Sequence, residues 1–213
     1  IRAVRLLLFL AQLNGLEVCA ADVLQAYLYS DCMEKIYSKA GPEFGPEWEG
    51  KYLCIRNALY GLKSSAAAYH MLLSKVLYKL GFIPSRADSD LWIKDCNSHY
   101  EYIATWVDDL LIASKDASSI IQQLKETYEL KGVGTPEYYL GGDVENTVVD
   151  NMRVLATSAK TYIRQLVGKC EDLMQWRLRS YNSPENPDYH PELDESPFLA
   201  PAHHARHRMM VGS

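Results

Sequence analysis

Between Tyr100 and Ala113 the chain reads YEYIATWVDDLLIA, two apolar, β-prone runs interrupted only by Asp108 and Asp109. This pattern predicts a tight hairpin with buried strands and two adjacent carboxylates at its tip. Carboxylates that close repel one another, and burial raises the cost of their charge. A divalent cation removes the conflict, and small, hard Mg²⁺ prefers carboxylate oxygens combined with phosphates and water. Taken alone, an Asp-Asp pair is more simply a solvated turn, so the rest of the chain has to decide.

A third carboxylate has a matching setting. Residues 2–14 have helical periodicity closed by Gly15, and Leu16–Ala21 reads as a short apolar strand running into Asp22. A sheet that set this strand beside the hairpin would converge Asp22 with Asp108 and Asp109. Two ions roughly 3.5–4 Å apart would then be held, the arrangement used to activate an attacking hydroxyl and neutralise a leaving group.

With 48% hydrophobic and 23% charged residues among 213, one substantial packed domain is expected. The apolar run Leu6–Ala11 is too short to span a bilayer and reads as a buried helix. Five scattered cysteines, at 19, 32, 54, 96 and 170, offer no CxxC pair and no clustered Cys/His spacing, which favours reduced intracellular thiols. Net charge is −5, which argues against wholesale electrostatic wrapping of nucleic acid, but the charge is uneven. Residues 1–150 carry 14 Lys/Arg against 20 Asp/Glu, residues 151–180 carry 6 against 2, and residues 181–213 carry 2 against 5.

Further elements follow from local signals. Lys51–Ile55 is strand-like, Ser64 or Ser65 caps a helix to Leu80, and Gly81 stops it. Asp116 caps a helix to about Leu130, after which Gly132, Gly134 and Pro136 break the pattern. A second hairpin is expected between Tyr138–Val144 and Arg153–Ala156, and Ser158 is expected to cap a basic helix to about Leu178. Residues 181–213 read as an extended or poorly ordered connector. His203, His204 and His207 have spacing that suits a metal, with a disordered tail as the other reading.

The motifs DVLQAYL (22–28), IYSKAGPEF (36–44), ALYGLKSSAAAYH (58–70), WVDDLLIASKD (106–116) and YYLGGDV (138–144) fall in the order and spacing of the polymerase motifs of copia-type (Pseudoviridae) retrotransposon reverse transcriptases. LATSAKTYIRQLV (155–167) resembles the segment entering the thumb of that family. The resemblance covers about residues 1–180. It implies an α+β fold: an antiparallel palm sheet with the aspartates on one side and helices 64–80 and 116–130 on the other, with partial fingers over 1–157, the start of a thumb over 158–180, and a connector toward an absent ribonuclease H domain over 181–213. It also implies RNA-directed DNA polymerisation on an RNA or DNA template, with a nucleic-acid primer and deoxynucleoside triphosphates. Two Mg²⁺ ions, or Mn²⁺ in their place, would be held by Asp22, Asp108 and Asp109.

The same resemblance assigns further roles. Val23, Tyr27, Tyr60, Gly61 and Lys63 would face the incoming nucleotide, with Tyr27 under the sugar and the backbone of 23–26 cradling phosphates. Trp106 and the hairpin Tyr139, Leu140 and Gly141 would hold the primer. An ordinary core tyrosine at 27, a solvated lysine at 63 and a plain edge hairpin at 139–141 are the competing readings. Two departures stand out: Trp106 where the family has tyrosine, and Ala67 where relatives carry arginine. The other Pol domains, integrase and ribonuclease H, are implied partners, with no membrane. Location would be cytoplasmic, within virus-like particles, with nuclear delivery of the product. Because most of the fingers is expected upstream, the chain alone is expected to polymerise little or not at all. Two other readings stay open: a repurposed nucleic-acid-binding relic, and a different palm-like nucleotidyl transferase or cyclase.

Overall fold

The computed structural model describes residues 2–180, 197 and 200–211. In chain order its elements are α1 (Arg2–Asn14), β1 (Glu17–Val23), β2 (Tyr37–Lys39), β3 (Tyr52–Cys54), α2 (Ser65–Lys79), β4 (Ile83–Pro84), β5 (Leu91–Asp95), β6 (Tyr100–Trp106), β7 (Asp109–Ser114), α3 (Ala117–Lys125), β8 (Leu130–Gly134), β9 (Tyr138–Tyr139), β10 (Gly142–Val149), β11 (Met152–Ser158), α4 (Lys160–Met174) and α5 (Pro201–Val211). Two compact units divide the chain: residues 1–140 with 144–156, and residues 141–143 with 157–213.

The first unit is built on a six-stranded sheet of order β4-β5-β6-β7-β1-β8, and every recorded pairing within it is antiparallel. This confirms the α+β class. Its inner strands are apolar on both faces, as two-sided burial demands. Leu110 and Ile112 of β7, with Ala21 and Val23 of β1, pack with Tyr69, Leu73 and Leu77 of α2 and Ile120, Ile121 and Leu124 of α3. The alternate residues Leu111 and Ala113 pack with Leu7, Leu8 and Ala11 of α1. Leucine side chains separated by helical turns make α1 a good helix former. Gly15 closes it at φ +61°, with Leu16 N–H reaching back to the Ala11 carbonyl (2.9 Å) and Gly15 N–H to that of Gln12 (3.4 Å).

Several boundaries depart from the sequence expectation. The helix predicted from Asp116 to Leu130 stops at Lys125, although Asp116 does cap it by accepting from Ser119 N–H (3.0 Å). Beyond it Tyr128 is buried among aromatic rings and Leu130 enters the sheet opposite Val23. That pairing outweighs the modest helix propensity of the Glu126–Glu129 stretch. Gly132 and Gly134, expected to break structure, lie in edge strand β8, whose register against β1 shifts between Ala20 and Asp22. An irregular edge of this kind resists pairing with other chains. Ser64 occupies the N-cap of α2 without a side-chain bond, while the Ser65 hydroxyl donates to the Leu59 carbonyl (2.7 Å).

The segment 138–144 is two strands, β9 and β10, rather than one, in a three-stranded sheet of order β11-β10-β9. The turn joining β10 to β11 places Asp150 and Asn151 at φ +49° and +62°, as a two-residue hairpin requires.

In the second unit α4 ends at Met174 rather than Leu178, and its N-cap is Ala159 rather than Ser158. The Asp143 carboxylate caps it from a distance, accepting from Thr161 N–H (2.9 Å) and from the Thr161 and Ser158 hydroxyls. These bonds hold the Asp143 carboxyl below its usual range. Residues 201–211, read from sequence as unstructured, form α5, and His203, His204 and His207 lie exposed on it. Of the rest of the predicted connector, residues 181–196, 198–199 and 212–213 fall outside the described residues.

Candidate active site

β1 lies beside β7 with Asp22 directly opposite Asp109, and Val23 N–H donates to the Asp108 carbonyl (2.8 Å). All three aspartates therefore share one end of the sheet. Cross-strand partners project to the same face with Cβ atoms about 5 Å apart. Alternation along β1 and β7 puts Asp22 and Asp109 on the side opposite Val23 and Leu110, away from α2 and α3.

The hairpin is one residue different from the predicted one. Trp106 pairs with Asp109, so the two-residue turn is Val107-Asp108 and Asp109 begins the strand. Val107 sits at φ +54°, a left-handed conformation that a β-branched residue adopts only when its surroundings impose it.

The electrostatics bear out the conflict the sequence suggested. Burial, then the charges of Asp108 and Asp22, push the Asp109 carboxyl above its usual range, opposed by Lys131. Asp22 Oδ1 is closed off from solvent and accepts no hydrogen bond; the Lys131 ammonium stands 3.3 Å away at ion-pair distance, outside hydrogen-bond geometry. Lys131 is opposite Asp22 on β8 and its side chain is 59% exposed, so it is a displaceable counter-charge. Sequence reasoning did not single it out, and only the β1–β8 pairing marks it. An orphaned carboxylate oxygen in an all-oxygen set suits a hard divalent cation. The three carboxylates do not draw together into a set with every ligand atom within 4.8 Å; among the described residues Cys96, His99 and Glu101 form such a set.

Aromatic side chains flank the aspartates. Tyr27 lies 4.5 Å from Tyr60 and 6.1 Å from Tyr69 between ring centroids, and the contacts continue through Tyr128 to Tyr29. Tyr27 is half-buried and Tyr60 exposed. Burial first, then the Asp108 charge, raises the Tyr60 hydroxyl; burial also raises that of Tyr69, whose oxygen is enclosed without a partner. On the other side Tyr139 is buried, and burial and then the Asp109 charge push its hydroxyl up.

The other predicted contacts divide. Val23 is fully buried, its amide is used by Asp108, and Leu24 N–H donates to the Glu129 carbonyl (2.9 Å). Neither amide is left to cradle a phosphate, which corrects the expectation for Val23: it positions Asp108. Gly61 takes φ +97° in the turn before α2, and no protein atom lies within 4 Å of where a Cβ would stand. Its backbone angle, rather than crowding by neighbours, calls for glycine. Lys63 and Ala67 are exposed. Trp106 is exposed at the hairpin and, with Val107, lines a cavity of about 250 Å³ together with Tyr69, His70 and Asp90. Leu140 and Gly141 turn the chain at φ +45° and +84°, Gly141 already belonging to the second unit.

The family model described as reverse transcriptase (RNA-dependent DNA polymerase) matches residues 1–174. The chain belongs to that family, and its relatives are Pol polyproteins of copia-type retrotransposons. It is 26% identical over 171 residues to the retrovirus-related Pol polyprotein from transposon RE1 of Arabidopsis thaliana, covering 78% of this chain and 11% of that protein. It is 26% identical over 144 residues to the retrovirus-related Pol polyprotein from transposon TNT 1-94 of Nicotiana tabacum, covering 65% and 11%. Against the transposon Ty1-GR3 Gag-Pol polyprotein of Saccharomyces cerevisiae it is 31% identical over 134 residues, covering 61% and 7%. The chain thus spans about a tenth or less of these relatives. No described helix is long and apolar enough to cross a membrane.

Proposed function

We propose that this chain carries the palm and the start of the thumb of an RNA-directed DNA polymerase that extends a nucleic-acid primer with deoxynucleoside triphosphates. The carrying observation is the register that sets Asp22 opposite Asp109 beside Asp108, with one enclosed Asp22 oxygen that accepts no hydrogen bond. Asp22, Asp108 and Asp109 would hold two Mg²⁺ ions, or Mn²⁺, which supply charge neutralisation at the attacking and leaving oxygens. Lys131, now the counter-charge of Asp22, would be displaced by a bound cation. Tyr27, braced by Tyr60 and Tyr69, closes the space beneath the sugar and selects against a 2′-hydroxyl. The phosphates lie along Gln25–Tyr27, with Tyr60, Gly61 and Lys63 on the nucleotide's other side. Trp106 and the Tyr139–Gly141 turn steady the primer end.

The other Pol domains, integrase and ribonuclease H, are its partners within the polyprotein. The test is primer extension by the Pol region containing this chain, in Mg²⁺ and in Mn²⁺, with Asp22→Asn and Asp108→Asn variants. Extension by the natural sequence that either variant abolishes supports the reading; extension that survives Asp22→Asn overturns it. A retained fold that binds nucleic acid without catalysis is favoured by one observation, the Lys131 ammonium already beside Asp22. Absence of extension by the natural sequence, with template binding intact, would select that reading.

A further inference from the structure

At the end of β6 remote from the aspartates, the β5–β6 hairpin brings together a thiol, an imidazole and a carboxylate. The ligand atoms of Cys96, His99 and Glu101 lie within 4.8 Å of one another. Glu101 is about seven residues from Asp108, roughly 23 Å of extended strand, so this cluster is separate from the polymerase site. The hairpin turn fixes its spacing: Cys96 N–H donates to the His99 carbonyl (2.9 Å), Asn97 N–H to the Asp95 carboxylate (2.8 Å), and Asn97 takes φ +64°.

Each ligand is already oriented. His99 Nδ1 is 3.0 Å from the Ser98 hydroxyl, while His99 Nε2 is buried, without a hydrogen-bond partner, and 3.8 Å from Glu101 Oε1. In the tautomer whose Nδ1–H donates to the Ser98 hydroxyl, the ring presents its Nε2 lone pair to the cluster. Glu101 is buried, accepts from the Ser114 hydroxyl, and is bonded by the Cys96 thiol. Ser114 Oγ is in turn fixed by Asp116 N–H (2.9 Å). Such outer contacts, one on the imidazole and one on the carboxylate, are what metal ligands ordinarily receive. A facing cation, Lys94, is 3.8 Å from Glu101 Oε2 and also lies over the Phe82 ring.

We propose that Cys96, His99 and Glu101 bind one Zn²⁺, with water at the fourth position. Zinc accepts sulfur, nitrogen and oxygen donors in a tetrahedron, and nitrogen and oxygen ligands then stand about 3.3 Å apart. The 3.8 Å gap between His99 and Glu101 therefore needs only a small contraction. The thiol proton leaves to solvent as the metal–sulfur bond forms, and no change of oxidation state is involved.

The probe is Co²⁺, titrated into the 213-residue chain in excess Mg²⁺ so that oxygen-only sites are filled. A thiolate-to-cobalt charge-transfer band should saturate at one ion per chain and be discharged by Zn²⁺. Cys96→Ser should abolish it, His99→Gln should weaken the affinity at least tenfold, and Ser114→Ala should weaken it about tenfold. Cys19→Ser and Cys170→Ser should leave it intact. Imidazole-only binding by His203 and His207 on α5 gives no such band. Absence of the band in the natural chain, or its survival in Cys96→Ser, overturns the proposal. Should Cys96→Ser lower the melting temperature in chelator, His99→Gln decides: unchanged affinity overturns the site.

Discussion

At one end of β6 the chain gathers Asp22, Asp108 and Asp109, half-buried and offering only oxygen; at the other it gathers Cys96, His99 and Glu101, with sulfur, nitrogen and oxygen around a buried carboxylate. The compensation differs as much as the donors do. Glu101 receives the Ser114 hydroxyl and has Lys94 nearby, whereas Asp22 keeps an enclosed oxygen without a hydrogen bond, has the exposed Lys131 as counter-charge, and faces Asp109 directly. One sheet thus carries an under-compensated end suited to hard cations that come and go with substrate, and a pre-oriented end suited to a resident borderline cation.

The largest effect expected from breaking this contrast is on polymerisation. In the intact Pol region, Asp22→Asn or Asp108→Asn should lower extension on the order of 10³-fold or more, and the cobalt band at Cys96 should be unchanged. Next, Leu111→Ala removes a fully buried side chain from the middle of β7 and should cost about 3 kcal/mol in urea unfolding, loosening both ends together.

Val107→Asn touches only the aspartate end. Asparagine tolerates the left-handed turn, and because Val107 is exposed little burial is lost. Its unfolding free energy should rise by about 1 kcal/mol. The smallest effect is that of Asp109→Asn, which should raise cation-free stability by about 0.5 kcal/mol through relief of the cross-strand repulsion. The sign with pH follows from linkage. The folded Asp109 carboxyl titrates above its unfolded value, so the native state holds the extra proton. Stability from this group therefore grows as pH falls through the raised value toward the ordinary carboxylate range. Urea midpoints across that window should show the gain in the natural chain and not in Asp109→Asn.

The sheet that joins these ends was legible in sequence to unequal degrees. Continuous apolar runs around residues 100–113 and the strand into Asp22 were readable because the inner strands pack on both faces. The exact turn was not, since the Trp106–Asp109 pairing is a tertiary choice that costs Val107 a strained angle. β8 and Lys131 stayed hidden because Gly132 and Gly134 look like breakers until β1 supplies an edge. The α3 terminus was misplaced for the same reason. The cluster of Cys96, His99 and Glu101 overturns the expectation of no grouped Cys/His ligands: the three positions converge only once the β5–β6 hairpin folds them together. The helix over 201–211 gives no amphipathic signal to read.

The position of β1 has a consequence for the order in which the molecule assembles. Asp22 and Asp109 stand 87 positions apart, and β1 is flanked on both sides by strands made much later in synthesis. Closing a loop of that length costs about 4 kcal/mol of chain entropy, recovered only when β7 and β8 zip onto it. A growing chain therefore carries an apolar, unpaired β1 until β7 is made, and the acidic constellation comes into being in a late, non-local step rather than with the hairpin alone.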